Sequence, residues 1–328
     1  MCRCSLPFPD NGSGSITILT YNVQNIFDAV DNGTEYYEYD PSNGSWNEAL
    51  YNLRLLNLSE VIKASVKGGP DVVALQEIEN LHVAEDLIDR YLKGMGYEDV
   101  CVTAKPDSAV QVGIISRIPF DSVTIHDFFT DEYESGRPVL EVKIAVGSEN
   151  LYLFNNHWKS RLGGAQETEE QRIMSAMVVE GRIRSILLAD PGAKIVVAGD
   201  LNESHDEYIR NGGVYRTALC PGADSTGAGV SCLPVSGKIP PDTGTLYEPW
   251  FNETEREGSY CYSGSWETVD HCLAGEGLFS GNGLKYLSFS VTALPFIVDG
   301  EGLPAAWDKE KGTGYSDHLP LLLTLGTE

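Results

Sequence analysis

Side chains able to bind a hard metal or move a proton stand repeatedly where an apolar run ends. Asn22 follows ITILTY, Glu77 follows DVVALQ, His157 follows LYLFNN, and Asp200 and Asn202 follow KIVVAG. Asp270 lies in VDHCLA, and Asp317 with His318 immediately precedes LPLLLTL. Taken singly, an Asn or Asp at a strand end is a turn former, and a lone histidine is a satisfied buried imidazole. That account does not extend to the whole set. Oxygen ligands and two histidines without cysteine suit hydrated Mg²⁺ better than zinc, with Mn²⁺ or Ca²⁺ as alternatives. Glu77, Asp317 and Asn22 supply two charges and one carbonyl for such an ion. A cation so placed polarises a phosphoryl oxygen, while Asp200 orients and deprotonates water for in-line attack. His157, His318 and Asn202 are donors for the charge that gathers on a phosphorane, and Asp270 is the carboxylate that would keep His318 protonated. The chemistry so assembled is phosphoester hydrolysis.

The elements that must position these residues are short Val- and Ile-rich runs: Ile16 to Tyr21, Asp71 to Gln76, Val110 to Ser116, Val139 to Ala145, Leu151 to Phe154, Lys194 to Ala198, Val269 to Ala274, Lys285 to Leu294 and Leu319 to Leu325. Leu140, Val142 and Ile144 alternate with Glu141 and Lys143, as in a half-buried strand, whereas Ile195, Val196 and Val197 are continuous, as in a strand buried on both faces. Two packed sheets accommodate both types. Helices are expected from about Ala49 to Lys67, from Leu81 to Met95 and from about Glu169 to Leu188, covering the outside of the sheets. Thr168 and Gln171 have capping-box spacing before the third, whose face is read as Ile173, Met177, Arg184 and Leu188. Pro221 to Gly244 reads as a long excursion from the fold. Asp31 to Asn47 reads as a loop whose Tyr36, Tyr37, Tyr39 and Trp46 cover a sheet edge or stack on a substrate.

Acidic residues number 48 against 23 basic ones, a formal net charge of −25, which excludes attraction to nucleic acid or anionic lipid by the surface as a whole. A polyanionic substrate must instead meet a local cationic site. No apolar run is long enough for a membrane span. The first 15 residues read as a flexible tail, whose Cys2 and Cys4 are compatible with a processed bacterial lipoprotein. Cys220 with Cys232 and Cys261 with Cys272 are spaced for two local disulfides in an exported protein, and no zinc spacing occurs. The sequon at Asn202 favours a bacterial source, because the chemistry above needs that side chain unmodified.

In order along the chain, TYNVQN, ALQEIEN, NNHWKS, AGDLNE, TVDHCL and YSDHLP make a set that resembles the endonuclease/exonuclease/phosphatase superfamily, from about Ile16 to Leu325. The resemblance implies an α/β fold, a four-layer α/β sandwich with two central mixed β-sheets packed face to face and helices outside, formed by residues 16–328 as one catalytic domain. It implies Asn22, Glu77 and Asp317 at the metal, Asp200 and Asn202 around water and phosphate, and His318 paired with Asp270. NVQNIFD, NNHWKSRLGG and SYCYSGSWETVDHCL look most like the extracellular bacterial nuclease branch. Trp158 and the Arg161–Leu162 step depart from that branch's usual strings, so contacts beside His157 are expected to differ. The family's phosphate-binding basic position falls on Lys159 or Arg137.

Three readings of function follow. The first is a secreted or envelope-bound, monomeric nuclease, with Lys159, Arg161 and Arg172 offsetting the overall charge. The second keeps the chemistry and changes the substrate to a phospholipid headgroup or an inositol phosphate, with Leu246, Tyr247, Trp250 and Phe251 as an apolar hairpin for the lipid and Tyr36, Tyr37 and Tyr39 as a cage for choline. The third is an inactive surface binding module.

Overall fold

The computed structural model describes residues 14–127, 136–222, 232–281 and 283–327. The expected tail therefore lies outside the described residues up to position 13, and Ser15 already begins the first strand. The strands are β1 Ser15–Ile26, β2 Val72–Ile78, β3 Asp99–Val102, β4 Gln111–Ser116, β5 Phe120–His126, β6 Val139–Val146, β7 Glu149–His157, β8 Lys194–Asp200, β9 Leu219–Pro221, β10 Leu233–Ser236, β11 Leu246–Tyr247, β12 Tyr260–Tyr262, β13 Ser265–Glu267, β14 Asp270–Ala274, β15 Leu284–Val291 and β16 Leu321–Thr327. One mixed sheet has the order β15-β16-β1-β2-β4-β3, the other the order β5-β6-β7-β8-β14-β11-β10-β9, and β12 with β13 forms a separate hairpin. Each large sheet carries a parallel pair near its middle, β1 with β2 and β7 with β8.

Side-chain alternation explains the layering. Ile16 and Ile18 of β1 point into a core shared with Val72, Ala74, Val112 and Ile114 of their own sheet and with Val142, Leu151, Leu153, Val196 and Ala198 of the other. The alternate residues Leu19, Tyr21 and Val23 meet Tyr51, Leu55, Leu58 and Ile62 on the first helix, α1 Glu48–Ser65. Phe154, Ile195 and Val197 meet Ile173, Ala176, Val179, Ile183 and Ile186 on α3 Glu169–Ala189. The order helix, sheet, sheet, helix is thus a four-layer sandwich, and its central strands are apolar on both faces because both faces are covered. Between α1 and α3 lies α2 Leu81–Asp86, continued by a wider turn over Leu87–Tyr91. Asn47 caps α1 through Ala49 and Leu50, and Asn80 caps α2 through Val83.

Local expectations fail where tertiary contacts override local pattern. Thr168 does not cap α3: its hydroxyl donates to Gly164 O and accepts from Arg172. Met177 and Leu188 are exposed, since the buried face of α3 is the Ile173–Ile186 row. Glu141 is buried, not solvated, because Arg182 reaches it from α3 with two 2.7 Å bonds and His126 Nε2 lies 2.6 Å away. Burial alone would push the Glu141 carboxyl up, and these partners reverse the shift and hold it below its ordinary value near 4.5. A depressed carboxylate adds stability above its unfolded pKa and loses it as pH falls through the folded one. Glu141→Gln is therefore expected to cost about 2 kcal/mol at neutral pH, the scale of hydrogen bonds to a charged group. Urea midpoints of the variant and parent should converge in the acid range, and a constant difference across pH would contradict the assignment.

Of the two expected disulfides, Cys220–Cys232 is present, joining β9 to β10, and residues 223–231 of the expected excursion lie outside the described residues. Cys261 and Cys272 are free, because Cys261 pairs with Trp266 across the hairpin while Cys272 is buried between the sheets. No helix among the described residues is long and apolar enough to cross a membrane.

Candidate active site at the sheet ends

Asn22, Glu77, His157, Asp200 and Asp270 arrive from five strands, and register sets the arrangement. His157 pairs with Asp200 across parallel β7 and β8, Asp270 pairs with Asp200 across β14 and β8, and Asn22 pairs with Gln76 across β1 and β2. Beneath them the two sheets are tied by Gln76 Nε2, which donates to Asn155 Oδ1 at 2.6 Å, and by Asn155 Nδ2, which donates to the carbonyls of Leu75 and Gly113. All of this is buried, so each unmade bond would carry a desolvation cost.

Strict strand alternation would not aim all these side chains at one place. Glu77 has φ +65° at a register shift between Gln76 and Ile78, and Asn202 has φ +52°. Such left-handed backbone is uncommon outside glycine, and at a bulge it re-aims a side chain. Gln24 and Asn25, just past Asn22, share it, with φ of +52° and +57°. Gly199, with φ +122°, precedes Asp200 because a Cβ there would stand 2.1 Å from Asn156 O. Four strained non-glycine positions within reach of one cluster mark it as a candidate functional site.

Asn22 Nδ2 donates to Asp200 Oδ2 at 2.9 Å and to Glu77 Oε1 at 3.2 Å, while its Oδ1 accepts from Gln24 N. Glu77 Oε2 accepts from Asn25 N at 3.0 Å. His157 Nε2 lies 3.6 Å from both Glu77 Oε1 and Asp200 Oδ2. Asn202 N donates to Asp200 Oδ1 at 2.9 Å, and its side chain donates to Trp158 O at 3.1 Å. His318 Nδ1 lies 2.7 Å from Asp270 Oδ2, and its Nε2 is 4.0 Å from Asp317 Oδ1. The eight catalytic and metal candidates thus meet in one cluster. Of the two basic candidates, Arg137 borders it, donating to Trp158 O at 2.9 Å, whereas Lys159 is exposed. Arg161 and Arg172 do not form a free basic cluster with Lys159. Arg161 is tied to Glu267, and Arg172 is buried against Glu169 with its Nη1 on Lys159 O.

Burial pushes the Glu77 carboxyl up, and Asp317 adds to the shift. Burial, then Asp270, raises Asp200 to about 6. Burial, then Arg137 and His318, holds His157 well below the usual histidine value, so it is neutral. Burial opposes charge on His318 too, but Asp270, Asp317 and Asp200 outweigh it and keep the ring protonated. The two histidines thus hold opposite charge states at neutral pH.

Carboxylates crowded this way are the chemistry of a cation site. Ligand atoms of Asp200, Asp270 and His318 lie within 4.8 Å of one another, and Asp270 Oδ1 is buried without a hydrogen-bond partner. Glu77, Asp317 and Asp200 fit a divalent cation by donor type, and Asn22 meets Glu77 and Asp200 through its amide N–H groups.

Three further residues support the cluster in roles the sequence does not mark. Arg54, buried in α1, donates to Val23 O, Gln24 O and Tyr315 O, so one guanidinium fixes the segments that follow Asn22 and precede Asp317. Its only sequence sign is a charge on an apolar helix face. Ser316 Oγ donates to Asn22 O at 2.7 Å, and Trp250 Nε1 donates to Asp270 O at 2.8 Å.

A family model described as "Endonuclease/Exonuclease/phosphatase family" matches residues 17–213. No curated protein matches the sequence. Among solved structures, truncated TDP2 of Caenorhabditis elegans aligns with TM-score 0.58 at 16% identity, over 95% of this chain and 98% of that one. TDP2 of D. rerio, crystallised with a single-strand DNA product, aligns with TM-score 0.55 at 16% identity, over 95% of this chain and 99% of that one. An endonuclease/exonuclease/phosphatase from Bacteroides vulgatus aligns with TM-score 0.57 at 15% identity, over 96% of this chain and 99% of that one. At these identities the likeness is one of fold.

Proposed function

Because this chain belongs to the endonuclease/exonuclease/phosphatase family, a family of metal-dependent phosphoesterases, we propose that it is a phosphodiesterase that hydrolyses nucleic acid. The observation that carries the reading is the convergence of Asn22, Glu77, His157, Asp200, Asn202 and the His318–Asp270 pair at one end of both sheets. Within the family, the single-strand DNA product held by the D. rerio structure supports a nucleic acid as substrate.

A divalent cation would be held by Glu77 and Asp317, with Asn22 beside Glu77, and would supply charge neutralisation and Lewis acidity at the phosphoryl oxygen; Mg²⁺ is the ion we assign, with Mn²⁺ or Ca²⁺ as substitutes. The protein does the rest. Asp200, its proton affinity raised toward neutrality, accepts the proton of the attacking water, and Asn202 N holds its other oxygen in place. His318, charged and oriented by Asp270, donates from Nε2 to the phosphorane, and neutral His157 donates a second hydrogen bond; the P–O bond to the leaving oxygen then breaks, and that oxygen takes a proton from water. Arg137 is the phosphate-facing cation, chosen over Lys159 because it borders His157 and Glu77.

A phospholipid substrate is disfavoured by burial: Leu246, Tyr247 and Trp250 lie in the core and leave only Phe251 at the surface. A choline cage is disfavoured as well, because Tyr39 is buried between Phe27 and Trp46. We further assign the protein to an oxidising location outside the cytoplasm, supported by Cys220–Cys232.

The test is degradation of single-stranded oligonucleotide and supercoiled plasmid with Mg²⁺ at low salt, beside His157→Ala purified identically. Loss of about 10²-fold or more in the variant is expected from removing a positioned donor. Equal cleavage by both preparations would assign the activity to a contaminant, and cleavage by neither with Mg²⁺, Mn²⁺ or Ca²⁺ would withdraw the nucleic acid.

A further inference from the structure

The hairpin β12–β13 belongs to neither large sheet, yet it touches a buried part of the site. Ser259, wholly buried, donates its hydroxyl to Asp270 Oδ2 at 2.6 Å, the same oxygen that His318 Nδ1 reaches at 2.7 Å. The next residue, Tyr260, lies face-on to the His318 ring, with centroids 4.6 Å apart and planes at 26°. Backbone bonding fixes the contact, since Ser259 O accepts from Leu319 N at 2.7 Å and Tyr260 forms a β-bridge with His318. Gly258 permits the approach, because a Cβ there would meet Glu267 O at 2.5 Å. Glu267 in turn, opposite Tyr260 in the hairpin, is ion-paired with Arg161 of the loop after His157. Both histidine-bearing segments are thus tied to one hairpin.

We propose that Ser259 and Tyr260 are positioning residues for the His318–Asp270 pair, presented to it by the hairpin. A hydroxyl donating to Oδ2 fixes the carboxylate rotamer and keeps that oxygen on Nδ1 of His318, so the Nδ1 proton stays internal and Nε2 faces the site. The Tyr260 ring covers one face of the imidazole and blocks its rotation. The catalytic consequence rests on the phosphodiesterase reading, but the placement does not, and the two are separable by experiment.

The decisive readout is solvent exchange of the His318 Nδ1 proton, followed by NMR in metal-free protein labelled with ¹⁵N-histidine and assigned by its loss in His318→Gln. Ser259→Ala and Tyr260→Ala are each expected to speed that exchange by about 10-fold or more, as local opening becomes easier, while Tyr260→Phe leaves it unchanged. Ser259→Cys, which keeps the volume with a weaker donor, is expected to fall between parent and alanine and serves if the alanine variant does not fold. On a single-stranded oligonucleotide, Ser259→Ala should lower kcat about 10-fold with KM unchanged, the usual scale for a residue that orients another. Exchange at the parental rate in folded Ser259→Ala and Tyr260→Ala would overturn the proposal. A parent with no phosphodiesterase activity would remove the functional reading while the exchange rates still decide the placement.

Discussion

Replacing Asp200 by asparagine is expected to lower kcat about 10³-fold, within the range for loss of a positioned general base, and to raise the melting temperature of the metal-free protein. The first effect follows from the carboxylate's place: Oδ1 is held by Asn202 N, Oδ2 by Asn22 Nδ2, and its proton affinity is raised toward the working pH. The second has the same cause. Burial and Asp270 lift Asp200 from 3.8 to about 6, so ionisation above that value destabilises the folded, cation-free protein. The penalty is present above the folded pKa and disappears as pH falls below the unfolded one. The gain from the neutral amide should therefore be largest at pH 7 to 8, roughly one to two units above the folded value, and vanish near the unfolded pKa of a carboxylic acid. Thermal melts in chelator across this range, beside single-turnover cleavage, check both halves. Unchanged cleavage would remove Asp200 from the proton-transfer role, and a gain that persists undiminished in acid would assign the stabilisation to something other than charge.

Arg54→Met is expected to damage both stability and the site, although Arg54 touches no candidate ligand. Its guanidinium serves three carbonyls, stacks over the Trp307 ring at 4.8 Å and is almost completely buried, which lowers its own pKa to about 10. Methionine fills much of the volume but leaves the Val23, Gln24 and Tyr315 carbonyls without a donor, at about 1–3 kcal/mol for each buried group left unsatisfied. A loss of about 3 kcal/mol or more in urea unfolding is expected, the lower end of the sum over three such groups. Those carbonyls flank Asn22 and Asp317, so Mn²⁺ affinity measured by calorimetry should fall about 10- to 100-fold in the protein that remains folded. Arg54→Lys, which reaches fewer carbonyls, should be intermediate in both. Full metal affinity in a destabilised Arg54→Met would confine the residue to folding.

What the sequence makes legible here is chemistry at the ends of long strands. Asn22, Glu77, His157, Asp200, Asp270 and Asp317 each lie in or beside an apolar run long enough to read as a strand, and all nine runs overlap a strand. The capping-box spacing at Thr168 misleads because Arg172 and Gly164 compete for the hydroxyl. Glu141 misleads because its counter-charges, His126 and Arg182, are 15 and 41 residues away. Strands of two to four residues, such as β9 to β13, are too short to show a period. Ser259, Tyr260 and Arg54 escape for a related reason: each acts through contacts set by tertiary structure, and a serine, a tyrosine or a helical arginine has no local pattern that distinguishes this use. The left-handed backbone at Glu77 and Asn202 is likewise invisible in residue type.

The pairing of β1 with β16 has a further consequence, in the order of events during synthesis. Ser316 bonds the carbonyl of Asn22 across 294 residues, and β16 sits between β1 and β15 in the finished sheet. Contacts of such separation close late, since the entropy of loop closure is lost before they contribute any stability. On a ribosome, β1 waits with an open edge until β2 to β15 have emerged, and Asp317 and His318 follow them. A nascent chain that has not reached Asp317 therefore lacks the complete candidate site, and a premature stop before that residue is expected to give an inert product rather than a partly active one.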